Sequence, residues 1–312
     1  LIVHQNINRF KAINPVVTIG TFDGVHRGHR KVIAQLNSLA AKAGGESVIF
    51  TFYPHPRLVV SKQEHNLRLL TTLDEKIELL GKSGIDHLVI FPFTPQFAAL
   101  TYREFVQNIL LEKLGLHTLV VGHDHRFGKN REGTFENLLA LSKQTGFKLE
   151  RIDALLVDEV DVSSTKIRNA LQQADVARAN HYLGYTFSLK GTVTKGNQIG
   201  RKIGFPTANI EASDPNKLIP AKGVYAISTN IDGQIYPAML NIGYRPTVNS
   251  NADNRTIEAH ILGFDADIYQ KEITLFFHEH VRAEQRFNSI DELKLQLETD
   301  KKKISEILRA YC

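Results

Sequence analysis

The feature that most constrains this chain is a change of rhythm along its length. Through the first part, strand-like and helix-like segments alternate. Val16-Val17-Thr18-Ile19 reads as a buried strand, and Val32, Ile33, Leu36, Leu39, Ala40 and Ala43 then recur at helical spacing between Gly28 and Ala43. Strands follow at 47–52, 87–93, 118–121 and 148–152, with helical patterns between them. Thr72 with Glu75 and Thr101 with Glu104 have the spacing of capping boxes that open two of those helices. Alternation of this kind predicts a parallel sheet with helices on both faces and ligands at the carboxyl ends of its strands. After about Tyr182 the alternation stops. Segments 186–194, 224–231, 234–241, 256–262 and 271–280 favour strands, Asp232-Gly233 marks a tight hairpin, and only 289–310 reads as a long helix. The second part is therefore expected to be a small antiparallel barrel or sandwich carrying one helix, with a short junction near 181–185.

A chain of 312 residues accommodates two such domains. Its 42% hydrophobic and 23% charged residues exclude a disordered chain. One cysteine, Cys312, excludes an internal disulfide or a cysteine zinc site and makes the cytoplasm the expected compartment. The longest apolar-leaning stretch, 87–102, is short and holds Pro92 and Pro95, so no membrane segment is expected. There is no basic-then-apolar leader, and the absence of an initiator methionine points to a trimmed N-terminus. The formal charge of +5 is dispersed, and Lys301-Lys302-Lys303 reads as a solvated helix face. With no basic stripe and no tryptophan, nucleic acid is not an expected partner. Oligomeric state is not legible.

Two segments could carry chemistry in the first part. The first strand runs into Gly20-Thr21-Phe22-Asp23-Gly24-Val25-His26-Arg27-Gly28-His29 and then a helix. A helix start after a strand presents unpaired backbone N–H groups and favours an anion. His26 and His29 could donate to a phosphate, and Gly28 leaves room for a flat base. The pair could also be idle and solvent-facing, or bind a metal with His123, Asp124 and His125. The segment matches neither a P-loop nor the dinucleotide fingerprint. The second segment, Asp161-Val162-Ser163-Ser164-Thr165-Lys166-Ile167-Arg168, is another helix start. Its hydroxyls and Arg168 suit phosphate oxygens or ordinary capping.

In the second part Gly196, Gly200 and Gly204 lead into Phe205-Pro206-Thr207-Ala208-Asn209. This is either a phosphate-approaching loop with Lys195, Arg201 and Lys202 nearby, or a glycine-rich turn. Thr207 and Asn209 offer hard oxygens suited to Mg²⁺. On a strand, Glu258 and His260 share one face while Ile257, Ala259 and Ile261 share the other. Glu258 is either a general base or part of a polar outer face.

The His-x-Gly-His and Ser-Ser-Thr-x-Ile-Arg segments resemble the nucleotidyltransferase superfamily. With Thr51-Phe52-Tyr53-Pro54-His55-Pro56 and Val121-Gly122-His123-Asp124-His125-Arg126-Phe127-Gly128, they look like the adenylyltransferase module of the bacterial bifunctional riboflavin kinase/FAD synthetases. Gly204–Asn209, Gly223-Val224-Tyr225, Asn241–Thr247, Glu258, Arg282, Glu284 and Phe287 resemble the riboflavin kinase module in the same order. The resemblance implies a Rossmann-like α/β nucleotidyltransferase domain over residues 1–182. A six-stranded antiparallel β-barrel with a terminal helix follows over 183–312. It implies phosphorylation of riboflavin to FMN and adenylylation of FMN to FAD, with ATP as co-substrate and Mg²⁺ as metal. His26, His29, Asp124, Arg168 and Glu258 become the implied catalytic residues. Gly20, Phe22, Asp23, Gly28, Ser164, Thr165, Gly196, Gly204, Thr207 and Asn209 become ATP contacts, Thr207 and Asn209 also metal ligands, and His55 and Phe127 flavin contacts. His125, Val248 and Gly263 depart from the family pattern. Two other readings are a nucleotidyltransferase for a different phosphate with a non-catalytic β module, and a flavin-sensing protein without turnover.

Overall fold

The computed structural model describes residues 1–60, 67–122, 126–152, 156–157, 160–196, 200, 203–244 and 255–311. The chain divides into two compact units, Leu1–Ser163 and Ser164–Cys312.

The first unit is built on six parallel strands: β1 (Ile2–His4), β2 (Val16–Ile19), β3 (Ser47–Tyr53), β4 (His87–Pro92), β5 (Thr118–Gly122) and β6 (Lys148–Ile152). Their spatial order is β1-β4-β3-β2-β5-β6, and every pairing is parallel. Side chains alternate across the sheet, and both faces are buried. Val17, Ile19, Val48, Phe50, Phe52 and Val89 join one core, while Val16, Ile49, Leu88, Ile90 and Val120 join the other. Helices α1 (Arg27–Lys42), α2 (Pro56–Val60), α3 (Leu73–Gly81), α4 (Pro95–Ala98), α5 (Tyr102–Phe105) and α6 (Phe135–Thr145) complete the layers. α1 covers one face through Ile33, Leu36 and Ala40, and α6 the other through Leu138 and Leu141. Both capping boxes are present, although α5 continues as a π-helical stretch, Val106–Leu111. The strand order reverses beside β2, so the loop after β2 opens at the switch point, where α/β sheets hold ligands. A short antiparallel pair, β7 (Leu156–Val157) and β8 (Val160–Asp161), follows β6.

The second unit begins with α7 (Ser164–Gln172) and α8 (Val176–Leu183), which Gly184 ends in the left-handed conformation. Asn180 ties α8 to the barrel: its Nδ2 donates to the Phe277 carbonyl at 2.8 Å, and its Oδ1 accepts from Phe187 N–H at 2.7 Å. The barrel strands are β9 (Ser188–Thr194), β10 (Ala208–Ala212), β11 (Gly223–Ile231), β12 (Gln234–Tyr244), β13 (Arg255–Ile261) and β14 (Glu272–Arg282). They close in the order β10-β13-β12-β11-β14-β9, with β9 pairing back to β10. The barrel reading thus holds over the sandwich. Positive φ at both Asp232 and Gly233 gives the β11–β12 hairpin its two-residue turn. β10 falls where the sequence suggested a loop and rigid turn.

Helix α9 (Ile290–Leu308), capped by Ser289, packs Ile304 and Leu308 on Val224, Ala226 and Met239. Lys301, Lys302 and Lys303 are exposed on its far side. Its one buried charge, Asp300, accepts Arg282 Nε at 3.0 and 3.1 Å and Nη2 at 2.7 Å, and Gln296 Nε2 at 2.8 Å. Removing one partner of such a pair strands the other charge in a desolvated site. Asp300→Ala is expected to destabilise the second unit by about 3 kcal/mol. Thermal unfolding by circular dichroism checks this, and an unchanged melting curve would contradict it.

Candidate active sites

The loop between β2 and α1 is the most constrained backbone of the first unit. Phe22 (φ 47°), Gly24 (φ 84°) and Val25 (φ 35°) all lie in the left-handed region, which non-glycine residues avoid and β-branched ones most of all. Such strain persists only where surroundings over-determine it. Here Phe22 and Val25 are buried, and the buried carboxylate of Asp23 accepts the N–H groups of Leu70 (3.0 and 3.2 Å) and Thr71 (3.1 Å). Gly24 N–H adds a bond to Thr71 Oγ1 at 3.1 Å. The Asp23 carboxylate thus ties the loop to the segment entering α3.

His26 is the N-cap of α1, its Nδ1 accepting from His29 N–H at 3.3 Å. An imidazole that accepts at Nδ1 carries its proton on Nε2. The two imidazoles stack with ring centroids 3.6 Å apart, and Phe22 lies 5.0 Å from His29. A Cβ on Gly28 would press on the His26 ring at 3.2 Å and on the Val162 carbonyl at 3.4 Å. Buried His29 Nδ1 has no hydrogen-bond partner among the described residues. Burial, then His26 and Lys76, hold the His29 imidazole well below the usual histidine range. Lys76 is itself buried in α3, which lowers its ammonium pKa, partly offset by Asp23.

Gly20, Phe22, Asp23, His26, Gly28 and His29 therefore share one loop and helix start. Buried His55 follows the carboxyl end of β3, its Nδ1 accepting from Arg57 N–H at 3.2 Å. Phe127 packs edge-on to Phe105 at 5.3 Å on the core's margin. Asp124, with His123 and His125, lies outside the described residues. Ser164, Thr165 and buried Arg168 stand in the first two turns of α7, in the second unit.

In the barrel, register assembles the second site. Glu258 on β13 pairs with Asn209 on β10 and with Asn241 on β12. Ile257, Ala259 and Ile261 turn to the buried side, as the alternation predicts. His260, on the face of Glu258, bonds through Nδ1 to the Pro206 carbonyl at 2.8 Å and fixes the entry to β10. Glycines admit the preceding loop: a Cβ on Gly196 would overlap the Asn209 amide, and one on Gly200 would overlap the Phe205 carbonyl and lie 3.5 Å from Thr207 Oγ1. Gly204 adopts φ +85°. This side-chain-free approach of backbone to two neutral oxygen donors fits Mg²⁺, which takes few protein ligands and completes its shell with water and phosphate. Arg201, Lys202 and Val248 lie outside the described residues.

A cavity of about 270 Å³ adjoins Thr207, lined by Val193, Pro206, Ala208, Ala259, Ile261, Ile268, Phe264 and Tyr269, with Asp265 and Asp267. No motif in the sequence marks it. Gly263, at φ +70°, precedes the segment carrying Phe264 and Tyr269.

These features define a nucleotidyltransferase-type α/β unit joined to a kinase-type barrel, and comparison with known proteins gives the same division. Residues 10–166 match the family model described as FAD synthetase, and residues 183–308 match the one described as riboflavin kinase. Bifunctional riboflavin kinase/FMN adenylyltransferases from Pseudomonas fluorescens and Listeria monocytogenes are each 38% identical. They cover 91% and 92% of this chain and 90% of their own lengths. The Escherichia coli K12 protein of the same description is 37% identical, over 95% of this chain and 93% of its own. A solved structure from Streptococcus pneumoniae, described as a macrolide-efflux protein, is 28% identical. It superposes with a TM-score of 0.85 over 96% of this chain and 97% of that one. Among the described residues, no helix is long and apolar enough to cross a membrane. The chain belongs to the bifunctional riboflavin kinase/FMN adenylyltransferase family. It is an enzyme of flavin cofactor biosynthesis that phosphorylates riboflavin with ATP to FMN, then adenylylates FMN with ATP to FAD and pyrophosphate.

The depressed His29 has a consequence for stability. Below the ordinary histidine value of 6.5, the unfolded chain takes up a proton there that the folded chain refuses. Stability therefore falls as pH drops through that value, with a slope approaching about 1.4 kcal/mol per pH unit from this one group. Urea unfolding between pH 7.5 and 5 should show His29→Gln to be less acid-sensitive than wild type. Equal sensitivity would contradict the assignment.

Proposed function

We propose that the two reactions are divided between residues 1–182 and 183–312 and carried by the side chains assembled above. In the adenylyl transfer FMN brings its own nucleophile, a phosphate oxygen that attacks the α-phosphorus of ATP. The protein's task is to position and to stabilise charge. Amides at the start of α1 and His26 Nε2–H donate to phosphate oxygens, and His29 stands beside them to stabilise the charge that develops. Gly20, Phe22, Asp23 and Gly28 shape this ATP site, with the Asp23 carboxylate holding the loop while its backbone faces the nucleotide. Arg168, Ser164 and Thr165 are assigned to the triphosphate, Asp124 to the reacting phosphates, and His55 and Phe127 to the flavin. The observation that carries this reading is the strained, clamped loop at the switch point, ending in two stacked imidazoles at a helix N-terminus.

In the kinase reaction Glu258 accepts the proton of the ribityl 5′-hydroxyl as that oxygen attacks the γ-phosphorus. Gly196 and Gly204 let the loop approach the phosphates. Thr207 and Asn209 would hold Mg²⁺, which when bound supplies charge neutralisation on the phosphate oxygens. The cavity beside Thr207, with the rings of Phe264 and Tyr269 in its lining, suits the adenine. Ala208 and Ala259 face it, while their neighbours Asn209 and Glu258 face the other side of the same wall, where the acceptor is placed. Neither nucleic acid nor membrane enters this reading, and the single cysteine suits a cytoplasmic enzyme.

Losing one well-aimed donor to a transition-state anion costs about 3 kcal/mol, on the order of a hundredfold in rate. His29→Ala is expected to reduce FAD formation from FMN by that factor or more, with FMN formation near normal. Glu258→Ala should do the reverse. Time-resolved separation of riboflavin, FMN and FAD reads both at once. Equal damage to both activities in a folded variant would overturn the two-site assignment.

A further inference from the structure

The barrel wall around Glu258 carries a residue that the reading above leaves unused. Directly paired residues on neighbouring strands set their Cβ atoms about 5 Å apart on the same face. Glu258 therefore stands between two amides, Asn209 on one side and Asn241 on the other. The amides are not equivalent. That of Asn209 is pressed against Gly196, where a Cβ would overlap it. That of Asn241 lies beside Gly243, two residues on and on the same face. A Cβ at Gly243 would run into the Glu284 carboxylate and lie 3.4 Å from Asn241 Nδ2. The Glu284 carboxylate thus lies over the space left by the missing side chain, and Asn241 has Glu258 beside it in register and Glu284 near its amide. A primary amide has two N–H donors and can serve both. The segment carrying Glu284 is itself held, since Arg282 is clamped by Asp300 and lies 5.9 Å from the Phe287 ring.

We propose that Asn241 is a positioning residue of the kinase reaction. Its amide, next to Glu258 in register and on the same face, is placed to donate to the carboxylate when the acceptor binds, so that the second oxygen faces the acceptor hydroxyl. The inference rests on Glu258 as the general base. A carboxylate on a half-buried strand face still has several rotamers, and only one aims at a given hydroxyl. Selecting it as the hydroxyl arrives lowers the barrier by the same orientation effect that brings reactants together.

The test measures FMN formation by the full chain for Asn241→Ala, the isosteric Asn241→Asp, Glu258→Gln and the double variant Glu258→Gln/Asn241→Ala. Both Asn241 variants are expected to lose about tenfold or more in kcat, with the KM for ATP close to wild type. The isosteric change keeps the shape of the wall and guards against a folding defect. Because the amide acts through the carboxylate, Asn241→Ala should cost little further activity once Glu258 is Gln. Wild-type kcat in Asn241→Ala, with Glu258→Gln impaired, overturns the inference alone. So does an equal fold-loss from Asn241→Ala in both backgrounds. Wild-type activity in Glu258→Gln overturns the base assignment and the inference with it.

Discussion

One buried carboxylate organises the adenylyltransferase half. Asp23 lies in a turn that the backbone would not adopt alone, between Phe22 and Val25, both at positive φ. Left-handed conformations of this kind cost of order 1–3 kcal/mol each. Three N–H contacts from Leu70 and Thr71, and burial of Phe22 and Val25, hold the turn in place. The result is that α1 starts where β2 ends, at the point of strand reversal, with His26 as its cap. Were the turn to relax, the imidazoles would lose their common orientation, since the His26 Nδ1 bond and the ring stack both depend on the first turn of α1.

The barrel reaches the same end by a different device. No strained turn sets Glu258; its place follows from strand register. Pairing of β10 with β9 closes the barrel and, through the β10–β13 pair, sets Asn209 beside Glu258. A one-residue slip of β13 would carry Glu258 to the buried side and Ile257 or Ala259 to the outside. His260, bonded to the Pro206 carbonyl, and Arg282, bonded to Asp300, pin the surrounding segments. One half thus places its chemistry by a clamped turn at a strand end, the other by position within a closed sheet.

How much of this was legible in the sequence follows from which interactions are local. α1, the capping boxes and the Asp232-Gly233 hairpin depend on residues within a few positions of one another, and their patterns are plain in the chain. The alternation of Ile257, Glu258, Ala259 and His260 likewise showed which face Glu258 takes. β10 was not legible, because Thr207-Ala208-Asn209 follows Pro206 and three spaced glycines and has the composition of a turn; only pairing with β9 and β13 makes it a strand. Edge strand β1 depends in the same way on β4 far along the chain. The Asp23 clamp joins residues nearly fifty positions apart and has no local signal in the chain. The cavity beside Thr207 has no motif of its own beyond a glycine before an aromatic. The resemblance to a family supplied roles that no spacing could give, and those for Asp124, His55 and Phe127 rest on it alone.

The physical claim beneath both halves is that the chain holds two separate binding sites for ATP. Calorimetric titration of the full chain with a non-hydrolysable ATP analogue, in the presence of Mg²⁺, tests this directly. Two equivalents bound per chain are predicted, with one lost in His29→Ala and both retained in Glu258→Gln. A single equivalent at saturation, unchanged when riboflavin is added, would contradict it.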